Sequence, residues 1–350
     1  MSGERRLVRG VSRLSLGVTA VTAAAVLSAC SHLGNPASSA APSSSASASV
    51  APSASPVATT PTEIVAVTGA GALVTLNPTS GTVEQTLVPS GVLGGEVSVS
   101  RAGVVYFAVS RGCSGSIEAI PIGGGTPAFI AAGNDPAVSP DGSKLAYAAE
   151  PQCAPNAVHT WALAIRTLSN GATASLPAMP SAQAGGLPYP ISNVSWSPDN
   201  DHVAVSIEAS QDNEGYGVNL VDIANARYYV SGGGVQTVPV TGTADQPGTY
   251  LGEGVYMPDG DLFVSRACCQ GNAAPRISSL MWEVTASGAF VHQVAVGYAD
   301  LSHFSLNVSS DGRWLLYVAA GAPNTGELYL SEGGATPSRL TTGIVAAAWG

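Results

Sequence analysis

Charge is what this sequence has least of. Asp, Glu, Lys and Arg make up 10% of its 350 residues, and Lys144 is the single lysine. The balance is acidic, 23 acidic residues against 13 basic ones. Four of the basic residues (Arg5, Arg6, Arg9 and Arg13) fall in the first 29 positions with one acid, Glu4, so residues 30–350 carry a formal charge of −13. Such a surface repels phosphate backbones, and no basic patch interrupts it, which excludes nucleic-acid binding. Helix-period apolar runs are nearly absent after residue 62, while period-2 runs are common; the chain is expected to be all-β. Catalytic signatures are missing too. There is no G-x-S-x-G, no H-E-x-x-H, no Walker loop and no Cys/His set at zinc spacing, so no catalytic residue, cofactor or metal site is expected. Five histidines (His32, His159, His202, His292 and His303) are scattered, and structural roles are expected for them.

What is present begins with an address. Arg5 to Arg13 form a positive region, "LSLGVTAVTAAAVLSA" is an apolar stretch too short for a comfortable span, and "LSAC" closes it at Cys30. Residues 1–29 therefore read as a signal peptide. The four positions Leu27 to Cys30 resemble the bacterial lipobox, and that resemblance implies a diacylglyceryl thioether on Cys30, further acylation of the palmitate kind, and anchoring to the outer face of the cell membrane; two acyl chains suffice for this. Residues 30–62 comprise that cysteine and a stretch of nearly pure Ser, Ala, Pro, Thr and Val, too poor in apolar bulk to offset ordering entropy, and read as a tether.

From residue 63 a unit recurs. "AVSPDGSKLAYAA" (137–149) returns as "NVSWSPDNDHVAVSI", "GVYMPDGDLFVSR" and "NVSSDGRWLLYVA", and more weakly as "VSVSRAGVVYFAV". In each, two strands flank a tight turn; at its clearest Pro presets φ, Asp bonds the neighbouring backbone and Gly, or Asn at 200, takes the left-handed position, while Ser310-Asp311-Gly312 lacks the Pro and Arg101-Ala102-Gly103 keeps only the glycine. A hairpin follows each pair, and six such hairpins occur between residues 72 and 342. Four-stranded units of about 50 residues are β-propeller blades. The expected fold is an all-β, six-bladed β-propeller over residues 63–350. The final "IVAAAWG", whose Trp349 stands where Trp196 does in its repeat, supplies the innermost strand of the first blade.

"SPDGSKLAY" and "WSPDNDHVAV", each followed by strand–turn–strand, resemble the repeat of the TolB-type propellers (the WD40-like, PD40 class), and the resemblance covers residues 63–350. With the Ala-rich, Lys-poor composition and the lipobox, the chain looks like an actinobacterial envelope lipoprotein. The resemblance implies a binding or scaffolding module for an envelope protein or glycan, acting as a monomer. The rival is a lyase or quinone-dependent dehydrogenase using the central channel. It would need His, Glu or Arg on the innermost strands, and these read "GEVSVS", "DPAVSP", "NVSWSP", "GVYMP" and "LNVSS", nearly free of such groups.

Candidate binding residues come from long connections in blades 3 to 5, because loops on a rigid scaffold are where recognition sits. They are Tyr189, Asp212, Glu214, Tyr216, Asp245, Tyr250 and Arg266. Asp212, Asn213 and Glu214 in "SQDNEGYG" cluster oxygen ligands, but without EF-hand spacing, and read as a polar loop. Cys113 and Cys153 follow the second strands of consecutive blades, whose equivalent loops are neighbours, and are expected to pair. Cys268 and Cys269 lie across the ring, which leaves a vicinal disulfide for them.

Overall fold

The computed structural model describes residues 63–111, 114–149, 162–176, 191–208, 216–222, 227–228, 230–231, 234–235, 250–268, 276–287, 289–296, 302–320, 326–333 and 335–350. Among them every regular element is a strand, and the architecture is an all-β propeller. Six four-stranded antiparallel sheets follow one another, with one two-stranded ribbon, Val230–Ser231 with Gly234–Val235. Sheet 1 runs Ile344–Trp349, Ile64–Thr68, Leu73–Leu76, Val83–Val88; sheet 2 runs Ser98–Val99, Val104–Arg111, Ser114–Pro121, Ala128–Ala132. Sheet 3 is Asn134–Val138, Lys144–Ala149, Ala162–Thr167, Thr173–Ser175, and sheet 4 is Ile191–Trp196, His202–Glu208, Tyr216–Asp222, Arg227–Tyr228. Sheet 5 is Tyr250–Tyr256, Leu262–Cys268, Arg276–Val284, Phe290–Val296, and sheet 6 is Ser302–Val308, Trp314–Ala320, Glu327–Glu332, Ser338–Thr342.

The first strand of each sheet touches the first strand of the next, and that of sheet 6 touches Ile344–Trp349 of sheet 1. The core is divided in the same way. Phe107 and Val105 of sheet 2 meet Val65, Leu73 and Ala346 of sheet 1, and Tyr106 and Ile117 meet Leu145 and Tyr147 of sheet 3. Leu163 and Ile165 meet Trp196 and Val203 of sheet 4, and Ala204 meets Leu262 and Trp282 of sheet 5. Phe263 and Met281 meet Leu306 and Tyr317 of sheet 6, whose Leu316 and Val318 return to Ile64 and Leu76 of sheet 1. Both faces of a sheet are thus buried, which is why the middle strands read as nearly continuous apolar runs. Each large side chain buried this way contributes about 1.5–3 kcal/mol.

The turns between first and second strands behave as their composition dictates. Asp141 accepts from the Ser143 amide at 3.0 Å and from Ser139 Oγ at 2.6 Å, while Ser139 Oγ accepts from the Lys144 amide at 2.9 Å. The same Ser–Asp arrangement recurs at Ser197–Asp199 and Ser309–Asp311. Gly142, Gly260 and Gly312 have φ of 73°, 95° and 74°, and Asn200, standing for glycine, has φ 63°.

The closing strand meets the sequence expectation. Ile64 pairs with Trp349 and Val67 with Ala346, and the Gly350 amide donates to Glu63 O at 3.0 Å. Deleting residues 344–350 exposes the edge of Ile64–Thr68 and opens two of the six inter-sheet cores. The truncated protein is expected to aggregate or to lose its cooperative melting transition; calorimetry that finds an unchanged transition temperature would exclude this role for the strand.

Candidate functional site at the propeller axis

The innermost strands carry a feature that reading along each strand misses. Counting four residues back from the first residue of each turn gives Glu96 in sheet 2, Asp135 in sheet 3, Asn193 in sheet 4, Glu253 in sheet 5 and Ser305 in sheet 6; Ala346 is the equivalent in sheet 1. Near this position the ladders of sheets 3 to 6 slip register: between Asn134 and Ala137, Ile191 and Asn193, Leu251 and Gly254, and Phe304 and Asn307. Asp135 and Ser305 adopt φ of 51° and 52°, unusual for residues with a Cβ. Bulges of this kind re-aim a side chain.

The result is a ring of polar groups where the six innermost strands meet. Glu96, Asp135, Asn193 and Ser305 are buried. Glu253 is half-buried and keeps some solvent-accessible surface. The Glu96 amide donates to Asp135 Oδ1 at 3.3 Å, and the Leu306 amide to Glu253 Oε2 at 3.4 Å. Ser305 Oγ accepts from the Ala347 amide at 3.0 Å. Among the described residues no Lys, Arg or His forms an ion pair with any of the three carboxylates.

Burial therefore dominates their protonation. It pushes Glu253 up to about 8 and Asp135 up to about 7, in spite of the backbone hydrogen bonds that favour their charged forms. Glu96 is held well above the ordinary carboxylate range by burial, and then by the charges of Glu253 and Asp135. The expectation that the innermost strands are nearly free of ionisable groups is thus corrected. Three carboxylates and an amide converge there, because the bulges turn toward the axis positions that simple alternation leaves unremarked.

The ring also has a polarity. The Asn134–Ala148 and Leu251–Arg266 pairings place it toward the ends of the second strands, the end from which segments 150–161, 209–215 and 269–275 depart. Of the binding residues read from sequence, Tyr216 begins the third strand of sheet 4, Tyr250 begins the first strand of sheet 5, and Arg266 lies near the end of its second strand. All three belong to that same end. Cys268 closes the second strand of sheet 5. Tyr189, Asp212, Glu214, Asp245, Cys30, Cys113, Cys153 and Cys269 lie outside the described residues. His202 stands 3.9 Å from Asp199 at the opposite, turn end, and His292 is exposed, 3.8 Å from Glu283. Asp259, Asp261 and Glu283 bring carboxylate oxygens within 4.8 Å of one another beside the sheet 5 turn, where Asp259 already accepts from the Asp261 amide at 3.1 Å.

No protein-family model matches the chain, and no curated protein sequence matches it. Solved structures do. TolB from Acinetobacter baumannii superimposes with a TM-score of 0.53 at 14% identity, over 82% of this chain and 65% of that one, so the chain spans less than two thirds of that protein. The putative TolB from Agrobacterium tumefaciens gives 0.53 at 14% identity, over 81% of this chain and 90% of that one. The fold is that of the TolB-type β-propellers.

A pH dependence follows from the ring. A carboxyl whose folded pKa is raised opposes folding once ionised. Its cost is absent below the unfolded pKa of about 4, grows through the folded values of about 7 and 8, and is complete above them. The turn carboxylates act oppositely. Asp141, held at about 2 by Ser139 and Ser143, and Asp199, lowered by Ser197, contribute stability that is lost as pH falls below about 4. In buffer containing a chelator, the transition temperature is expected to peak between about pH 4 and 6 and to fall toward pH 8.5. Glu253→Gln should flatten the alkaline limb, raising the transition at pH 8.5 by about 2–6 °C and leaving pH 5 nearly unchanged. Equal shifts at both pH values would show that Glu253 is ionised throughout.

Proposed function

We propose that the chain is an exported lipoprotein whose six-bladed propeller serves as a binding or scaffolding module at the outer face of the cell membrane, for a protein or glycan partner. The observation that carries the binding role is the fold. A rigid ring of four-stranded sheets, similar to those of the two TolB structures, presents uneven connections at one end. Only two residues link the second and third strands in sheet 2, against twelve in sheet 3 and seven each in sheets 4 and 5. Recognition is assigned to the long connections, with Tyr189, Asp212, Glu214, Tyr216, Asp245, Tyr250 and Arg266 as contact residues.

The anchor rests on Cys30 and "LSAC", and the tether of residues 30–62 gives the propeller reach on the order of 30 Å from the membrane. Cys30→Ala is expected to move the protein out of the membrane fraction or to leave it unprocessed. If the variant is processed and fractionates with membranes as the parent does, the anchor is wrong. The binding role is tested by cross-linking cells and recovering the propeller with its partner. Alanine at Tyr216, Tyr250 and Arg266 together should reduce recovery at least tenfold without lowering the transition temperature.

Two disulfides belong to the same proposal. Cys113 follows Arg111 by two residues and Cys153 follows Ala149 by four, each just beyond the second strand of adjacent sheets. A Cys113–Cys153 bridge closes a loop of about 40 residues, for which chain entropy gives roughly 3–4 kcal/mol. Non-reducing peptide mapping should recover that linkage, with Cys268 and Cys269 joined to each other or both free. A peptide linking Cys113 or Cys153 to Cys268 or Cys269 would overturn it.

A further inference from the structure

We propose that the axial ring is a socket for a guanidinium group, the arginine side chain of a polypeptide partner entering from the end where the long connections depart. The inference deepens the binding role proposed above and rests on it for the identity of the partner class.

The ring presents three carboxylates from three different sheets: Glu96 from sheet 2, Asp135 from sheet 3 and Glu253 from sheet 5. Each is close enough to affect another's protonation, yet among the described residues no basic group is paired with any of them. A buried acidic cluster without a counter-charge is a site for a cation or for protons. Asn193 separates these readings. It is 1% exposed and its side chain lies beside the Glu253 carboxyl, whose charged form it favours, yet among the described residues its Nδ2 forms no well-aligned hydrogen bond. An amide buried without its full set of hydrogen bonds opposes folding. A half-turn of its terminal torsion presents Oδ1 instead, a fourth acceptor facing a cation.

Size then selects the cation. A bare metal ion holds its oxygen ligands at 2.3–2.6 Å in the case of calcium and closer for magnesium, so opposed ligands lie within about 5 Å of each other. Among the described residues Asp259, Asp261 and Glu283 gather their carboxylate oxygens within 4.8 Å of one another; Glu96, Asp135 and Glu253 do not all come together so tightly. A guanidinium is planar, carries five N–H donors in a fixed fork, and binds acceptors on several sides at about 2.7–2.9 Å from each nitrogen, spanning a wider ring. The access route is the surface that Glu253 retains. Ser305 completes the circuit with a hydroxyl already engaged by the Ala347 amide.

Four probes test the assignment on the full-length protein at pH 7.5 by calorimetric titration and thermal shift: acetyl-Gly-Arg-Gly-amide, its lysine and citrulline counterparts, and calcium chloride. The arginine peptide is expected to bind one per chain and to raise the transition temperature, the lysine peptide to bind at least threefold more weakly, and the citrulline peptide and calcium not to bind at the ring. Glu253→Gln and Asp135→Asn should each weaken the arginine peptide at least tenfold. Asn193→Asp should retain it, and Asn193→Leu should lose it, while Asp259→Asn should change nothing. Because Glu253→Gln and Asp135→Asn remove a buried charge, both are expected to fold; the Asn193 pair gives a second readout with opposite signs at one position. Equal binding of the citrulline peptide, binding indifferent to Glu253→Gln, or calcium saturating the ring would each overturn the proposal. Partner recovery from cross-linked cells that is unaltered by Glu253→Gln would refute the socket and leave the binding role standing.

Discussion

Everything in this propeller depends on satisfying the innermost strands, whose axial edges have no further strand to pair with. A sheet edge left with bare N–H groups is costly where water is excluded. Small polar side chains solve the problem from the neighbouring sheet. Two residues before each turn, Ser98, Ser195 and Asn307 accept from the amides of Val138, Tyr256 and Trp349 of the following sheets at 3.0, 3.0 and 3.3 Å. Two residues earlier, Ser305 Oγ accepts from Ala347 and Glu253 Oε2 from Leu306. Where the position is Ala137, the Trp196 indole donates to its carbonyl at 2.9 Å instead. The sheets are thus joined near the axis by directional bonds and farther out by apolar packing.

This explains which parts of the fold were legible in the sequence. The Ser–Pro–Asp–Gly turn is a local object. Its hydroxyl, carboxylate and left-handed glycine act within five residues, so the motif names its own geometry, and Asn200 at φ 63° is read correctly from composition alone. The hairpins are equally local. The closing strand was legible for a different reason: Trp349 matches Trp196 in the repeat, and the first unit lacks an inner strand, so one absence locates the other. Packing between sheets left no comparable mark. A residue such as Leu145 reads only as apolar, whichever neighbour it meets.

The axial ring was hidden by the same bonds that hold the sheets together. A bulge shifts the pleat by one residue and moves a side chain to the other face. Alternation counted along "DPAVSP" or "NVSWSP" therefore places the residues at this position poorly. The signal lay across the repeats: aligned on the turn, the fourth residue back reads Glu, Asp, Asn, Glu, Ser and Ala in sheets 2 to 6 and then sheet 1. The candidate residues read from long connections were found by length and polarity, and those that fall in strands, Tyr216, Tyr250 and Arg266, lie at the end toward which the ring is offset.

The six occupants of that position also weigh need against surplus. Ala346 shows that the fold closes with no polar atom there, and Ser305 shows that one hydroxyl suffices to hold the next sheet. Glu253 makes the equivalent bond at 3.4 Å, longer than the serine's 3.0 Å, and carries a charge the interior opposes. A serine at 253 would lose that contact's charge and its desolvation cost together. Glu96 and Asp135 add two more carboxylates with no basic group paired to them among the described residues. Packing accounts for none of this surplus, since the apolar cores lie between the sheets and are filled without it. The acidity at the axis is therefore a property of the site and not of the scaffold, and its cost is offset only when something positive, or a proton, occupies the ring.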